Sequence, residues 1–379
     1  MNCCAPTAVE DALLAEVDFL PNAEVLVSTT WDCNLRCSYC FLKEKTHHPD
    51  HARMSAQTAR RLVDVLDRTM LHVESVCIHL YGGEPLTNLP ALRAMVERAE
   101  KTGRGRFTFA ITTNGTILSD EVFALLDRGN FQVIVSIDGP ARVHDTCRRN
   151  VLDQPTHHLV IKFLEMLRTR TRCWVRGSAV VRSGWRLKNA VRYLRGLPVD
   201  VIKAQAVRVP DGAPFALSDT EKDEYLSDLE AVGNEIIDEL ENGQRPRDDR
   251  FSNRVLQILT GKSRDRFCGA GETTFGFLPD GTVTPCVLLD AAEHALGHIE
   301  DHKAGWLGAG RTWRKRGGQS GQCRGCSALS LCGGGCPAIL PICGANECQI
   351  IRKNCEIARH IYSHFSDRPE MLLPLAGYN

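Results

Sequence analysis

The sequence predicts an α/β chain in which βα units surround a parallel sheet and a cysteine-rich region follows. From Glu24 to about Val207, short β-rich runs alternate with amphipathic stretches, the order that parallel sheets require. Beyond residue 289 glycine and cysteine become frequent, and seven of the 17 cysteines fall between Cys323 and Cys355. Cys33, Cys37 and Cys40, spaced C-x3-C-x2-C, come straight after the first strand-like run.

The strand candidates are residues 25–30, 75–81, 107–113, 132–137, 173–181 and 201–207. Between them Leu62, Val65, Leu66 and Thr69, then Leu92, Met95, Val96 and Ala99, recur at helical spacing. Six such units fall short of a closed eight-stranded barrel. Residues 218–241 are polar and acidic, the pattern of a solvent-facing helix, and 243–250 form a charged connection with Pro246. Residues 273–289 alternate around Pro279-Asp280-Gly281, a hairpin turn signal. After them too little apolar sequence remains for an independent core, so metal clusters are expected to hold this part together.

The 379 residues balance to a formal net charge of zero, which suggests neither a nucleic acid nor an anionic membrane as partner. Glu10, Asp11 and Glu16 interrupt the N-terminal segment and no apolar run reaches bilayer length, so a soluble, cytoplasmic protein is expected. In a reducing cytosol this many cysteines read as metal ligands rather than disulfides.

Three thiolates on a [4Fe–4S] cube leave one iron open to a small molecule, whereas structural zinc closes four positions. The loop reads C-N-L-R-C-S-Y-C, with Tyr39 before the third cysteine. Gly82-Gly83-Glu84-Pro85 follows the second strand run, Thr113-Asn114-Gly115 ends the third, and Ser136-Ile137-Asp138-Gly139-Pro140 ends the fourth, with His144-Asp145 and Arg148 after it. In combination these resemble the radical S-adenosylmethionine (radical SAM) enzymes, and the last stretch resembles the anaerobic sulfatase maturases and their peptide-modifying relatives.

The resemblance implies a partial (β/α)6 TIM-like barrel, with Cys33, Cys37 and Cys40 on a [4Fe–4S] cluster and S-adenosyl-L-methionine (SAM) at its open iron. It implies SAM contacts from Gly82, Gly83, Glu84, Pro85 and Asn114, from Ser136 to the ribose, and from Arg148 to the methionine carboxylate. The spacing Cys323-x2-Cys326-x5-Cys332-x3-Cys336, then Cys355, with Cys268 and Pro285-Cys286 upstream, resembles the SPASM extension with two auxiliary Fe–S clusters, of the [4Fe–4S] type. Carried over, Cys323, Cys326, Cys332 and Cys355 hold one, and Cys268, Cys286 and Cys336 the other. The expected division is an extension (1–22), a radical SAM partial barrel (23–217), a helical connection (218–262) and a SPASM domain (263–379).

The resemblance further implies an enzyme that cleaves SAM reductively to a 5′-deoxyadenosyl radical, which takes a hydrogen atom from a peptide or protein. Flavodoxin or ferredoxin would supply the electron, and a thioether, a carbon–carbon crosslink or an oxidised side chain would result. Two departures stand out. Thr274 occupies the place of a further cysteine of the sulfatase maturases, so the cluster of Cys268, Cys286 and Cys336 either has an open iron or recruits Cys343 or Cys348. Val287 replaces the Asp general base that follows their Pro-Cys pair, which disfavours formylglycine formation, although Asp290 is near in sequence. Oxidation of a small molecule is the other enzymatic alternative, and a non-catalytic electron carrier would have no use for a SAM pocket. Among other features, His47, His48 and His51 with Asp50 read as a solvated loop, Cys3 and Cys4 as exposed thiols, and Cys77 and Cys173 as buried strand residues. Cys147 is read as a hydrogen donor or an inert thiol.

Overall fold

The six strand-like runs form six strands. The computed structural model describes residues 22–42, 52–71, 73–103, 105–301, 305–316 and 323–378. In it β1 (Ala23–Thr30), β2 (Val76–Gly82), β3 (Phe107–Thr113), β4 (Gln132–Ser136), β5 (Trp174–Val181) and β6 (Val201–Ala206) pair in parallel in chain order. Helices α1 (Ala56–Thr69), α2 (Leu89–Thr102), α3 (Asp120–Arg128), α4 (His157–Arg170) and α5 (Leu187–Arg195) connect them. Ser55 and Ser119 start α1 and α3 by accepting the amides of Thr58 and Val122, the bonds that satisfy otherwise orphaned donors.

Each strand has one apolar face and one mixed face. Along β2, Val76, Ile78 and Leu80 are buried while Cys77, His79 and Tyr81 are half-buried, and strand alternation sends the two sets to opposite sides. The apolar set joins Val25, Val27, Ile111, Val133 and Val175 in one core with Leu62, Leu66, Met95, Phe123 and Phe163 of the helices. The sheet is curled. Glu24 on β1 feels the charges of Arg176 on β5 and Lys203 on β6, which would stand roughly 20 Å or more away in a flat sheet with strands about 4.8 Å apart. The mixed faces therefore line a lumen.

The acidic segment is the helix α6 (Asp219–Glu241), started by a capping box between Ser218 and Glu221. It is not solvent-facing all round. Leu229, Val232, Ile236, Ile237 and Leu240 are buried, because apolar residues at helical spacing within an acidic sequence still make one continuous stripe. Helix α7 (Ser252–Leu259) follows. Gly233 lets α6 approach the long C-terminal helix, since a Cβ there would lie 2.4 Å from Ile357 Cγ2.

The C-terminal region also departs from expectation. β7 (Thr274–Phe277) pairs in parallel with β1, and β8 (Thr282–Thr284) and β9 (Gly297–His298) continue the same sheet antiparallel. The hairpin turns at Gly281 (φ +96°), where Asp280 accepts the Thr282 amide. Phe275 and Phe277 meet Trp306 of α8 (Gly305–Arg316) edge-on, at 4.8 and 5.6 Å between ring centroids. This region thus extends the barrel core and does not rely on metal alone. Helix α9 (Leu340–His364), broken at Gly344, closes the fold. Among the described residues no helix is long and apolar enough to cross a membrane.

Candidate active site

The first three cysteines sit on a loop fixed from two sides. Gly83 and Glu84 donate their amides to the carbonyls of Thr30 and Asp32 at 2.9 and 2.8 Å. A Cβ on Gly83 would stand 2.1 Å from the Asp32 oxygen, so only glycine lets the end of β2 lie on the approach to Cys33. On the other side Arg36 and Ser38 donate to the carbonyls of Arg149 and Cys147. The segment after β4 is thereby laced to the cysteine loop.

The donor set suits an iron–sulfur cluster. Burial pushes the Cys33 thiol up to about 12, with the Glu84 charge and the thiols of Cys37 and Cys40 adding to it. Burial likewise takes Cys37 to about 11, against the opposing pull of Arg148. Thiols so placed ionise only for a strongly cationic partner. Among the described residues no three His, Cys, Asp or Glu side chains converge on a single-ion site.

The residues expected to hold SAM cluster at the C-terminal ends of β2, β3 and β4. Glu84 is almost fully buried. Its carboxylate accepts the Leu86 amide, the Thr113 hydroxyl and the Asn114 amide at 3.1, 2.8 and 2.7 Å, and burial raises its pKa to about 7. Pro85 opens the turn 85–88 that Glu84 caps. Asn114 donates to Asn34 in the cysteine loop at 2.8 Å and accepts from Thr116. Glu84 and Asn114 thus brace the strand ends against that loop. Ser136 ends β4 half-buried.

Arg148 is engaged more deeply than its sequence position suggests. It pairs with Asp138, whose carboxylate also accepts the Tyr39 hydroxyl, and its guanidinium lies 5.5 Å from the centre of the Tyr39 ring. Its Nη1 is 4.0 Å from Cys37 Sγ. The arginine therefore places its charge beside the cysteine loop. Cys147 is buried, its carbonyl spent on Ser38.

The lumen holds residues that sequence reasoning missed. His79 bridges Glu24 Oε1 (3.0 Å) and Thr112 Oγ1 (2.9 Å) across three strands. Tyr81 stands edge-on to His79 and stacks on Phe41. Burial pushes Tyr81 to about 12, and the groups around it include Arg208, Cys40, Cys286 and Arg148. It lies between the first cysteine set and Cys286. The alternation Cys77, His79, Tyr81 immediately before Gly82-Gly83 was the available signal, and it places Cys77 on this face rather than in the core. Cys173 is buried as expected.

All 15 described cysteines are free, and those of the C-terminal region form two groups. Burial raises Cys286 to about 12, helped by the thiols of Cys336 and Cys268. Cys323, Cys326, Cys332 and Cys348 line one cavity, and Cys355 packs against Cys326 and Cys332. Cys348 thus faces this second group and not the set of Cys268, Cys286 and Cys336. Cys343 is buried near Glu347 and Arg208, with Cys336 a weaker neighbour. Val287 is buried, and Asp290 caps the turn 291–294 by accepting the Ala292 amide at 3.0 Å. Cys3, Cys4, His47, His48, Asp50 and His51 lie outside the described residues.

Residues 27–176 match the model of the radical SAM superfamily. A serine-type anaerobic sulfatase-maturating enzyme of Bacteroides thetaiotaomicron is 34% identical over 144 residues, 36% of this chain and about a third (34%) of that protein. A cysteine-type enzyme of Clostridium novyi is 23% identical over 327 residues, 80% of this chain and 85% of its own length. The structure of anSMEcpe with bound AdoMet and the Cp18Cys peptide superposes with a TM-score of 0.76 at 20% identity, covering 92% of this chain and 99% of that one. Streptococcus suis SuiB bound to precursor peptide SuiA gives 0.60 at 16% identity, covering 88% and 76%. These likenesses confirm the α/β fold class.

Proposed function

We propose, from the match of residues 27–176 to the radical SAM superfamily and the similarity to the anaerobic sulfatase maturases, that this radical SAM enzyme modifies a side chain of a peptide or protein, forming a thioether or carbon–carbon crosslink or an oxidised side chain. The observation that carries this reading is the wall beside Cys286. Where the sulfatase-maturase resemblance places a carboxylate base stands Val287, 1% exposed, and Asp290 spends its side chain on a helix cap. Formylglycine formation by that route lacks its proton acceptor, since an alkyl group accepts none.

When bound, SAM and the first cluster supply a 5′-deoxyadenosyl radical that abstracts hydrogen from a substrate. The chain's own residues do the rest. Tyr39, Asp138 and Arg148 hold the cysteine loop, Glu84 and Asn114 fix the strand ends on which SAM is proposed to lie, and Tyr81 shapes the passage toward Cys286. His79 faces the lumen, oriented by Glu24 and Thr112. Neighbours with peptides in their structures support a peptide or protein as substrate. Flavodoxin or ferredoxin is the proposed reductant, and the cytoplasm the proposed compartment.

The test uses reconstituted, dithionite-reduced protein with SAM and two probes: a sulfatase-derived peptide bearing the Cys or Ser to be oxidised, and a short synthetic cysteine-rich peptide. Crosslinking is read as loss of a hydrogen pair from the second probe together with 5′-deoxyadenosine. Formylglycine in the first probe, with the second unchanged, would overturn the proposal in favour of sulfatase maturation.

A further inference from the structure

Strand β6 is one open edge of the sheet. Along it, alternation sends Ile202 and Ala204 into the core with the helices and Lys203 and Gln205 to the lumen. The register aligns Lys203 with Ser178 on β5, and Ser178 with Ser136 on β4. Lys203 therefore stands two strands, roughly 10 Å, from the serine expected at the SAM ribose. Among the described residues its ammonium has no hydrogen-bond or ion-pair partner. Asp249, a carboxylate whose charge it feels, is already paired with Arg176.

Lys203 forms part of the wall of a cavity of about 150 Å³ at this edge. Arg208, Arg250 and Arg254 also line it, against a single carboxylate, Glu347. Asp248 takes up Arg250 through bonds of 2.8 and 2.6 Å, and Arg254 bonds to Cys355. Glu347 lies 3.9 Å from Arg208, beyond hydrogen-bond distance. Positive charge is thus in excess, with Lys203 as the cation that nothing compensates at close range. Burial lowers its pKa against the opposing pull of Asp249, and the charges of Arg176, Arg250 and Arg208 add to the fall. In the same lining Arg254 Nε and Asn354 Oδ1 are buried without hydrogen-bond partners, a donor and an acceptor that each cost free energy as they stand. The volume suits a carboxyl side chain with its neighbouring amide, since clefts for drug-sized ligands run to about 300–1,000 Å³.

We propose that this cavity anchors the substrate peptide by a carboxylate, with Lys203 as its ion-pair partner, so that the enzyme selects acidic peptides. The inference deepens the peptide-modifying reading and rests on it. An arriving carboxylate gives Lys203 the counter-charge it lacks, and an adjacent peptide amide offers partners to Arg254 and Asn354. Arg208, partly exposed and close enough for its charge to act on Tyr81, draws the anion in from the passage beside the first cysteine loop. No bond is made or broken in this step. Lys203 holds the peptide so that residues next to the acid lie over the ends of β4 and β5, near the proposed SAM platform.

The experiment uses the full chain, reconstituted and left oxidised with SAM present, so that binding is read calorimetrically without turnover. The probes are short synthetic cysteine-containing peptides blocked at both ends, with Glu at each position in turn and matched Gln controls, and one Gln peptide with a free C-terminal carboxylate. At least one Glu peptide is expected to bind about ten- to a hundredfold more tightly than its Gln match, the range of a hydrogen bond between charged groups. Lys203→Met should abolish that preference and Lys203→Arg should keep it. Arg208→Gln, at a partly exposed side chain, should weaken it in the same direction and serves if Lys203→Met does not fold. Tighter binding of the free C-terminus alone would support the anchor with the chain end as the source of its carboxylate. Equal affinities for every peptide, or a preference unchanged by Lys203→Met, would overturn the inference and leave the peptide reading standing. A parent that binds none of the peptides would overturn both.

Discussion

Arg148 carries its Nε 3.1 Å from Oδ2 of Asp138, a carboxylate with no solvent exposure. One charge compensates the other, and removing either leaves its partner buried and unpaired. Asp138→Asn is expected to cost about 3–5 kcal/mol of folding stability, measured by denaturant unfolding of the protein without its clusters. Tyr39→Phe should cost less, about 1.5–3 kcal/mol, because it removes a single hydrogen bond to that charged carboxylate and leaves the ion pair in place. Equal, small losses in both would show that the ion pair does not hold this end of the barrel.

A second expectation concerns pH. His144 has no solvent exposure, and burial, helped by the nearby Arg148 charge, lowers its pKa from 6.5 to about 4. The folded state therefore favours the neutral ring. Its contribution is complete above pH 6.5 and is lost as pH falls from there to about 4, for a total on the order of 3 kcal/mol. Stability of His144→Gln should be correspondingly flatter with pH over that window. A variant as pH-dependent as the parent would assign the slope to other groups.

Cys33, Cys37 and Cys40 are the thiols whose spacing leaves an iron open. Replacing all three with Ala should abolish 5′-deoxyadenosine production by reconstituted, reduced protein while iron stays at the C-terminal sites. Undiminished nucleoside would sink the assignment.

Glu84 accepts an amide on each carboxylate oxygen, so in Glu84→Gln one of those donors would face an NH2 group. The strand ends that it braces are the proposed SAM platform. SAM binding should weaken by about ten- to a hundredfold, the equivalent of roughly 1.5–3 kcal/mol, with the first cluster still assembled. The same loss is expected for Arg148→Ala. Calorimetric affinities equal to the parent in both variants would mean that the pocket lies elsewhere.

The barrel strands were legible because alternation and helical periodicity are strong over long elements, and β3 matches its expected bounds of 107–113. The motif residues were legible too, since a Gly-Gly turn and a cysteine triplet have few other uses together. What stayed hidden depends on tertiary closure. Neither the partnership of Glu24 with His79 nor the pairing of β7 with β1 can be read from local spacing, because each joins residues far apart in the chain. The same holds for Arg148 and the ring of Tyr39, which meet from distant parts of the chain. The buried face of α6 was obscured for another reason: its acidic composition outweighed a stripe that only periodicity reveals.

The pairing of β7 with β1, from Glu24↔Thr274 to Val27↔Phe277, bears on how the protein can be cut. Deleting the cysteine-rich region would strip β1 of a neighbour and leave an open hydrogen-bonding edge next to apolar side chains, a template for intermolecular strand addition. Such a truncation should precipitate rather than yield a minimal enzyme.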